Sequence, residues 1–116
     1  MKIAEVAEIL GASVLCGKDR LGHEVNAAFG ADMMSDVLAY MNRESLLLTG
    51  LVSTHVIRTA EMLELPCIVF VRGKPVGGDV ISLAVNQNIV LLGTQKTLYV
   101  SCGLLYAAGL PGCVRG

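Results

Sequence analysis

Two short apolar runs in the middle of the chain contain no alternating polar residues. They lie at residues 46–48 and 68–71. Continuous apolar runs of this length are typical of strands that are buried on both faces, as in parallel sheets. The pattern therefore predicts two parallel strands, each followed by a short turn that contains glycine.

The segment between these runs has apolar residues at helical spacing, which predicts an amphipathic helix. Ser53 or Thr54 can cap its amino end, and Pro66 ends it before the second strand begins. The apolar positions are Val56, Ile57, Ala60 and Leu63. Parallel strands require such a crossover connection, so residues 46–73 are expected to form one strand, helix, strand unit.

The remaining pattern extends this arrangement in both directions. Helices are predicted at residues 2–10, 36–41, 79–85 and 95–107, and strands at residues 13–16, 24–31 and 89–92. Gly11 ends the first of these helices, and Ser35 can cap the second. The chain is therefore expected to be a single α/β domain, residues 1–116, in which helices cover a small sheet.

Glycine-containing turns follow three of the predicted parallel strands. The carboxyl ends of such strands meet at one edge of the sheet, and in open α/β sheets ligands bind at that edge. Glycine lets a ligand approach the backbone, while helix amino ends offer free N–H groups. Asp32 ends a further strand and is expected to join this edge. The candidate ligand-binding residues are Asp32, Thr49, Gly50, Arg72, Gly73 and Thr94.

Arg72 is the most informative single charge, because it follows an apolar strand at this edge. A guanidinium group can bind phosphate or carboxylate with two parallel hydrogen bonds. It can equally pair with an acidic residue across a dimer interface. The sequence leaves both roles open.

The chain is unusually apolar for its size. Hydrophobic residues make up 53% of the sequence and charged residues 16%, which is more apolar material than one small domain can bury. Part of it is therefore expected at a subunit interface, most simply that of a twofold homodimer. The candidate interface lies on the last helix and comprises Leu98, Val100, Leu104, Leu105 and Ala108.

The charge and the lack of targeting signals in the sequence argue against nucleic-acid and membrane partners. A net charge of −1 and a pI near 6.1 give no electrostatic reason to expect nucleic acid or an anionic membrane surface. Residues 97–114 carry no charge, but their glycines and Pro111 make a poor membrane-spanning helix. No signal peptide is evident, so a cytoplasmic location is expected.

The four cysteines form neither a CxxC motif nor a metal-ligand spacing. Cys67 falls in a predicted core strand and Cys102 in an apolar helix, where free thiols behave as small hydrophobic groups. This use of cysteine fits the reducing cytoplasm. Cys113 lies in a tail that looks exposed, and a redox sensor at this residue is the alternative interpretation.

No pattern in the sequence predicts an enzyme, and no cofactor is expected. Residues 93–97 resemble a fragment of a phosphate-binding loop, but Gln95 stands where that motif requires its second glycine. His23 and His55 are the histidines of the chain, and spacing suggests no nucleophile or carboxylate partner for either of them.

The sequence does not predict a cation site near Asp32. Asp32, Ser35, Asp36 and the Thr49 hydroxyl could supply the oxygen ligands that hard cations prefer. An ordinary helix amino end, favoured by the helix dipole, explains Ser35 and Asp36 better.

Several runs of the sequence occur in an order and spacing that resembles a known family. The runs are MKIAEVAEILGASVLCG at residues 1–17, LLLTG at 46–50, LELPCIVFVRG at 63–73, NQNIVLLGT at 86–94 and TLYVSCGLLY at 97–106. Together they resemble the DRTGG domain, which is also found in phosphotransacetylases and in pyrophosphatases that contain CBS domains. They are similar as well to the amino-terminal, non-kinase domain of HPr kinase/phosphorylase.

The resemblance implies a three-layer α/β/α fold with a small, mainly parallel sheet. It also implies a domain that forms a homodimer and regulates or scaffolds a partner metabolic enzyme without catalysis of its own. A sensor that binds a nucleotide or a phosphate-bearing metabolite at the carboxyl-end loops is the alternative. One departure bears on that alternative: residues 51–53 read Leu-Val-Ser, where relatives often have an Asp-Arg pair.

Overall fold

Helices and strands alternate along the chain in the computed structural model, which describes residues 1–114. The elements are α1 (Ile3–Leu10), β1 (Ser13–Cys16), β2 (Ala28–Gly30), α2 (Met34–Tyr40), β3 (Leu46–Thr49), α3 (Thr54–Met62), β4 (Cys67–Phe70), α4 (Gly78–Asn86), β5 (Val90–Gly93) and α5 (Leu98–Ala107). A short 3-10 helix, Lys18–Arg20, follows β1. The two apolar runs in the middle of the chain form β3 and β4, as the pattern predicts.

The described strands form one sheet in the order β1-β5-β4-β3-β2. Strands β2, β3, β4 and β5 are parallel, whereas β1 pairs antiparallel with β5. Leu47 is aligned with Ile68, and Ile68 is aligned with Leu91, so three apolar residues stand side by side across the centre of the sheet. The expected small, mainly parallel sheet is confirmed.

Helices cover both faces of this sheet. Alternate strand residues point to opposite faces, so Ile68 and Phe70 pack with α2, α3 and α4, whereas Cys67 and Val69 pack with α1 and α5. Each face has its own cluster of buried side chains, and every residue of β3 and β4 is buried. The three-layer α/β/α architecture is therefore confirmed.

The helix ends follow local signals in some places and tertiary packing in others. Gly11 adopts the left-handed conformation (φ 59°) that ends α1, as predicted. The predicted cap of α2 is wrong: the helix begins at Met34, and Ser35 lies inside its first turn. Burial of Met34 and Val37 at helical spacing explains this earlier start. The last helix begins at Leu98 rather than near residue 95, because Thr97 caps it.

The strand predicted at residues 24–31 is much shorter in the structure. Only Ala28–Gly30 pair with β3. Upstream, Val25 exchanges backbone hydrogen bonds with Met1, and Glu24 forms an isolated bridge with Lys2. The backbone groups of residues 24 and 25 are therefore bonded to the amino-terminal residues, so β2 does not extend upstream along β3.

The tail after α5 covers the outer edge of β2. Ala28 N–H donates to the Pro111 carbonyl at 2.9 Å, and Cys113 N–H donates to the Ala28 carbonyl at 2.8 Å. The Cys113 thiol is partly buried and donates to the Ser45 hydroxyl at 3.3 Å. The expectation that Cys113 lies in an exposed tail is therefore wrong, because this segment is held against the sheet.

A bilayer-spanning helix is absent from residues 1–114, since each helix there is too short or too polar to cross.

Candidate functional site

Asp32 meets the end of β3 at the carboxyl edge of the sheet. Its Oδ1 atom accepts a hydrogen bond from Gly50 N–H at 2.7 Å and another from the Thr49 hydroxyl at 3.2 Å. The fold thus brings together three of the residues that the sequence placed at this edge. The Gly50 N–H is therefore already bonded to the Asp32 carboxylate and is not available to a ligand at this loop.

The two threonines of the candidate set are buried and hydrogen-bonded within the protein. The Thr49 hydroxyl, besides donating to Asp32, accepts from Leu51 N–H at 3.1 Å. The Thr94 hydroxyl donates to the Leu10 carbonyl at 2.8 Å and accepts from Lys96 N–H at 3.3 Å. These contacts tie loops to the sheet and to the end of α1, so neither hydroxyl is free for a ligand.

Arg72 and Gly73 form a tight turn after β4, in which both residues have positive φ (66° and 63°). A non-glycine residue in this conformation costs roughly 1–2 kcal/mol. The turn is fixed to the loop that follows β5, because Arg72 N–H donates to the Lys96 carbonyl at 2.8 Å and Gly73 N–H donates to the Thr94 carbonyl at 2.9 Å. The backbone thereby holds the Arg72 side chain at the sheet edge.

Two cationic side chains converge on the Gly50 carbonyl oxygen. Lys74 Nζ donates to it at 2.7 Å, and Arg72 Nη2 lies at 3.5 Å, the outer limit of a hydrogen bond. Within residues 1–114 the side-chain ion pairs are Arg20 with Asp19 and Arg43 with Glu64, so neither cation at this edge has a carboxylate partner there. Lys74 is absent from the candidate residues predicted from the sequence, although it directly follows the Arg-Gly turn.

Side chains lie directly on two glycines of this edge. A Cβ atom at Gly50 would clash with the Arg72 guanidinium group, and a Cβ atom at Gly73 would clash with the Gln95 carboxamide. Gly73 lines a cavity of about 210 Å³, whose wall combines Lys74, Gln95 and Thr94 with the apolar Leu15, Phe70, Pro75 and Val76. Drug-sized ligands occupy cavities of roughly 300–1,000 Å³, so this cavity matches a smaller group.

The outer face of α5 presents a second candidate surface. Tyr99 is 88% exposed and Tyr106 is 72% exposed, whereas Ser101 has no exposed surface. Of the predicted interface residues, Val100, Leu104 and Ala108 are exposed. Leu105 is buried in the core of its own chain, and Leu98 is partly buried against that core, so these two side chains belong mainly to the fold.

An open groove of about 370 Å³ runs along this helix between α5, β2 and the tail. Tyr99 and Tyr106 stand along the groove with Gly103 between them, and Gly30 and Cys102 also line it. The groove therefore continues the apolar face of α5 onto the sheet edge.

The sequence signature of the DRTGG domain matches residues 5–106. The chain belongs to the DRTGG domain family. No curated protein sequence matches this DRTGG domain. The family assignment based on the five sequence runs is therefore confirmed.

A solved structure has the same fold as this DRTGG domain. It contains the CBS and DRTGG domains of the regulatory region of Clostridium perfringens pyrophosphatase, complexed with the activator diadenosine tetraphosphate. The TM-score is 0.74 at 16% sequence identity, and the match covers 95% of the present chain. The chain spans 47% of that neighbour, so the likeness shows the fold of the domain.

The cysteines of this DRTGG domain are free thiols. Burial raises the pKa of Cys67, Cys16 and Cys102 above the ordinary value of 9.0, which disfavours the reactive thiolate at neutral pH. In the described part of the chain, His, Cys, Asp and Glu form no group of three or more that could hold a metal ion. His23 and His55 are both exposed.

Proposed function

We propose that this DRTGG domain is a non-catalytic regulatory module that forms a homodimer and associates with a partner metabolic enzyme. The observation that carries the proposal is that α5 buries Ser101 and Leu105 on its inner face and leaves Tyr99, Val100 and Tyr106 exposed on its outer face. The structural neighbour is part of the regulatory region of an enzyme, which supports a regulatory role. The free thiols, of which Cys67 is buried and the others are partly buried, fit a cytoplasmic location.

The sequence of α5 explains why its outer face requires a cover. Residues 98–107 contain no charged side chain, and a helix that is apolar all round is normally buried on all sides. Exposed tyrosines are typical of protein interfaces, because they bury a large apolar ring and keep a polar tip. In the single chain α5 packs on the sheet with one face only, so the opposite face is available to a second chain.

A second copy of the same chain fits this surface best. An uncharged face offers no complementary charge for selecting a different protein, whereas a twofold dimer needs only a patch that packs against itself. Gly103 lies in the middle of the exposed face between the two tyrosines. This small residue allows two helices to approach closely while the tyrosines pack on either side.

Matched valine substitutions test the dimer. Val100 on α5 is 45% exposed and Val85 on α4 is 52% exposed, so Val100→Glu and Val85→Glu make the same change at similar exposure on different surfaces. We expect the wild type and Val85→Glu to sediment as dimers and Val100→Glu as a folded monomer, because a glutamate buried in the interface has no partner. Leu104→Glu is a second probe of the same face.

A monomeric wild type at all concentrations would refute the dimer. Equal loss of dimer in Val100→Glu and Val85→Glu would show instead that α5 is not the interface. Circular dichroism of each variant separates loss of the dimer from loss of the fold.

A second candidate function is a small-ligand sensor at the carboxyl edge, binding a nucleotide or a phosphate-bearing metabolite near Asp32, Gly50, Arg72 and Gly73. The supporting observation is the pair of cations at the Gly50 carbonyl with no carboxylate partner within residues 1–114. The neighbour is bound to a nucleotide activator, which fits a sensor in this family.

Thermal unfolding with a panel of nucleotides and phosphates tests the sensor. A ligand that binds only the folded state at a hundredfold excess over its Kd stabilises that state by about 2.7 kcal/mol. We expect Arg72→Ala to abolish the rise in Tm and the exposed Arg58→Ala, on α3, to retain it. If no member of the panel raises Tm, the sensor hypothesis fails, while the dimer is unaffected.

A further inference from the structure

We infer that Arg72 and Lys74 together form a binding site for one small tetrahedral oxyanion, such as phosphate or a terminal phosphoryl group. This inference rests on the sensor function and names its ligand class and its contacts. It differs from the ligand set read from the sequence, because Lys74 enters the site and the two threonines leave it.

The internal hydrogen bonds decide which groups remain available. Thr49 and Thr94 use their hydroxyl groups on protein partners, and Gly50 N–H is taken by Asp32. Lys96 is also directed elsewhere: its ammonium group lies beside Gly11 at the carboxyl end of α1, where the helix dipole favours a cation. Arg72 and Lys74 are therefore the charged donors left at this edge.

Both donors lie close together and are within reach of solvent. Each is directed at one neutral carbonyl oxygen, that of Gly50, and both residues are exposed. Like charges at such short range repel each other, and an anion between them relieves the repulsion. Hydrogen bonds from cations to anionic oxygens are also stronger than those to a neutral carbonyl. An oxyanion is therefore a better partner for both cations than Gly50.

Lys74 also lines a cavity of about 210 Å³, which is smaller than a typical cofactor site. Arg72 does not line this cavity, whose wall is largely apolar through Leu15, Phe70, Pro75 and Val76. The oxyanion is therefore placed between the two cations at the exposed edge, with the cavity on the Lys74 side only. Gln95 lines the cavity next to Lys74, and its side-chain amide is a further neutral donor. A larger metabolite would bind through one phosphoryl end and leave the rest of the molecule outside.

The Arg72 turn places the guanidinium group before any ligand arrives. Arg72 is held at positive φ by its backbone bond to Lys96, and its side chain lies on Gly50, where a Cβ atom has no room. Positions of this kind persist only when the surrounding structure enforces them, and they often occur at functional sites. A donor that is already in position loses less conformational entropy when it binds.

Calorimetric titration with inorganic phosphate, at constant ionic strength, tests the site. We expect saturable binding of one phosphate per chain, competition by sulfate, and no effect of chloride at the same ionic strength. Lys74→Gln and Arg72→Gln should each weaken binding about tenfold or more, because each removes a charged hydrogen bond. The exposed Lys18→Gln and Arg58→Gln make the same changes away from the edge and should bind phosphate like the wild type.

The outcomes separate this inference from the sensor function. Absence of saturable phosphate binding, or equal weakening by all four variants, overturns the site. If diadenosine tetraphosphate or ATP raises Tm equally in the wild type and in Lys74→Gln, the sensor function stands and the assignment to Arg72 and Lys74 is wrong. Specific loss of phosphate binding in Lys74→Gln and Arg72→Gln, with both proteins folded, supports it.

Discussion

Cys67 lies in the central strand β4 with no exposed surface, and burial raises the pKa of its thiol above the ordinary value of 9.0. In the unfolded chain this thiol loses its proton near pH 9, whereas in the folded chain it keeps the proton to higher pH. The contribution of Cys67 to stability is therefore constant at lower pH and declines as the pH rises above about 9.

We predict that this decline is measurable by comparison with Cys67→Ala. Above pH 9 the wild type should lose up to about 1.4 kcal/mol per pH unit relative to the variant. Urea unfolding of both proteins near pH 8 and near pH 10 provides the test. An unchanged difference in unfolding free energy between the two proteins would contradict a raised pKa at this thiol.

Individual side chains of the candidate site differ in how far the sequence could predict their role. Residue type and position at strand ends were enough to bring Asp32, Thr49 and Gly50 to one edge. Which donors stay free depends on partners distant in sequence, such as Leu10 for the Thr94 hydroxyl. The direction of the Lys74 side chain toward Gly50 depends likewise on the folded turn.

At the scale of elements, the ends of the helices carry unusual residues. After α3, Glu64 has a φ of 55°, and Leu65 N–H bonds back to the Ala60 carbonyl. Gly11 occupies the corresponding position after α1, and glycine is the residue that this position favours. A non-glycine residue there costs roughly 1–2 kcal/mol, part of which the greater flexibility of unfolded glycine offsets.

We predict that Glu64→Gly stabilises the protein by up to about 1 kcal/mol. The change also removes an exposed ion pair with Arg43, which contributes little. Glu61→Gly provides a matched control, because Glu61 is exposed inside α3 and glycine there should destabilise by about 1 kcal/mol. Chemical denaturation measures both; a destabilised Glu64→Gly would contradict the argument.

Some helices and strands could be predicted from sequence patterns, and others could not. Strands β3, β4 and β5 were predictable, because their apolar runs are too short for a helix and are bounded by glycine-containing turns. Helix α3 ends before Pro66 is reached. Glu64 adopts a positive φ, and Leu65 N–H bonds back to the Ala60 carbonyl, which closes the helix. The short β2 was not predictable, because its upstream half pairs with the amino-terminal residues rather than with the sheet.

At the scale of the whole molecule, the distribution of apolar surface leads to the proposed dimer. Both faces of the sheet are covered within one chain, so the apolar excess of the sequence appears on the outside of the helices. Part of it lies on α5, and other exposed apolar side chains, such as Met33, Leu38 and Met62, lie at α2 and α3. Composition alone predicted that such an excess exists. It could not show that Leu105 faces inward, because α5 has apolar residues on every side.

We predict that the Tm of the wild type rises with protein concentration, because association stabilises the folded chains by mass action. Val100→Glu should have a lower Tm that is independent of concentration, whereas Val85→Glu should follow the wild type. Differential scanning calorimetry over a wide concentration range measures this. A wild-type Tm that does not change with concentration would argue against a dimer that is coupled to stability.

Residues from both ends of the described chain pair with one short segment, residues 25–28. Met1 is hydrogen-bonded to Val25, and the Pro111 carbonyl accepts from Ala28 only three residues further on. A short flexible linker can therefore join the two ends. The chain is suited to circular permutation with the order of strands in the sheet retained.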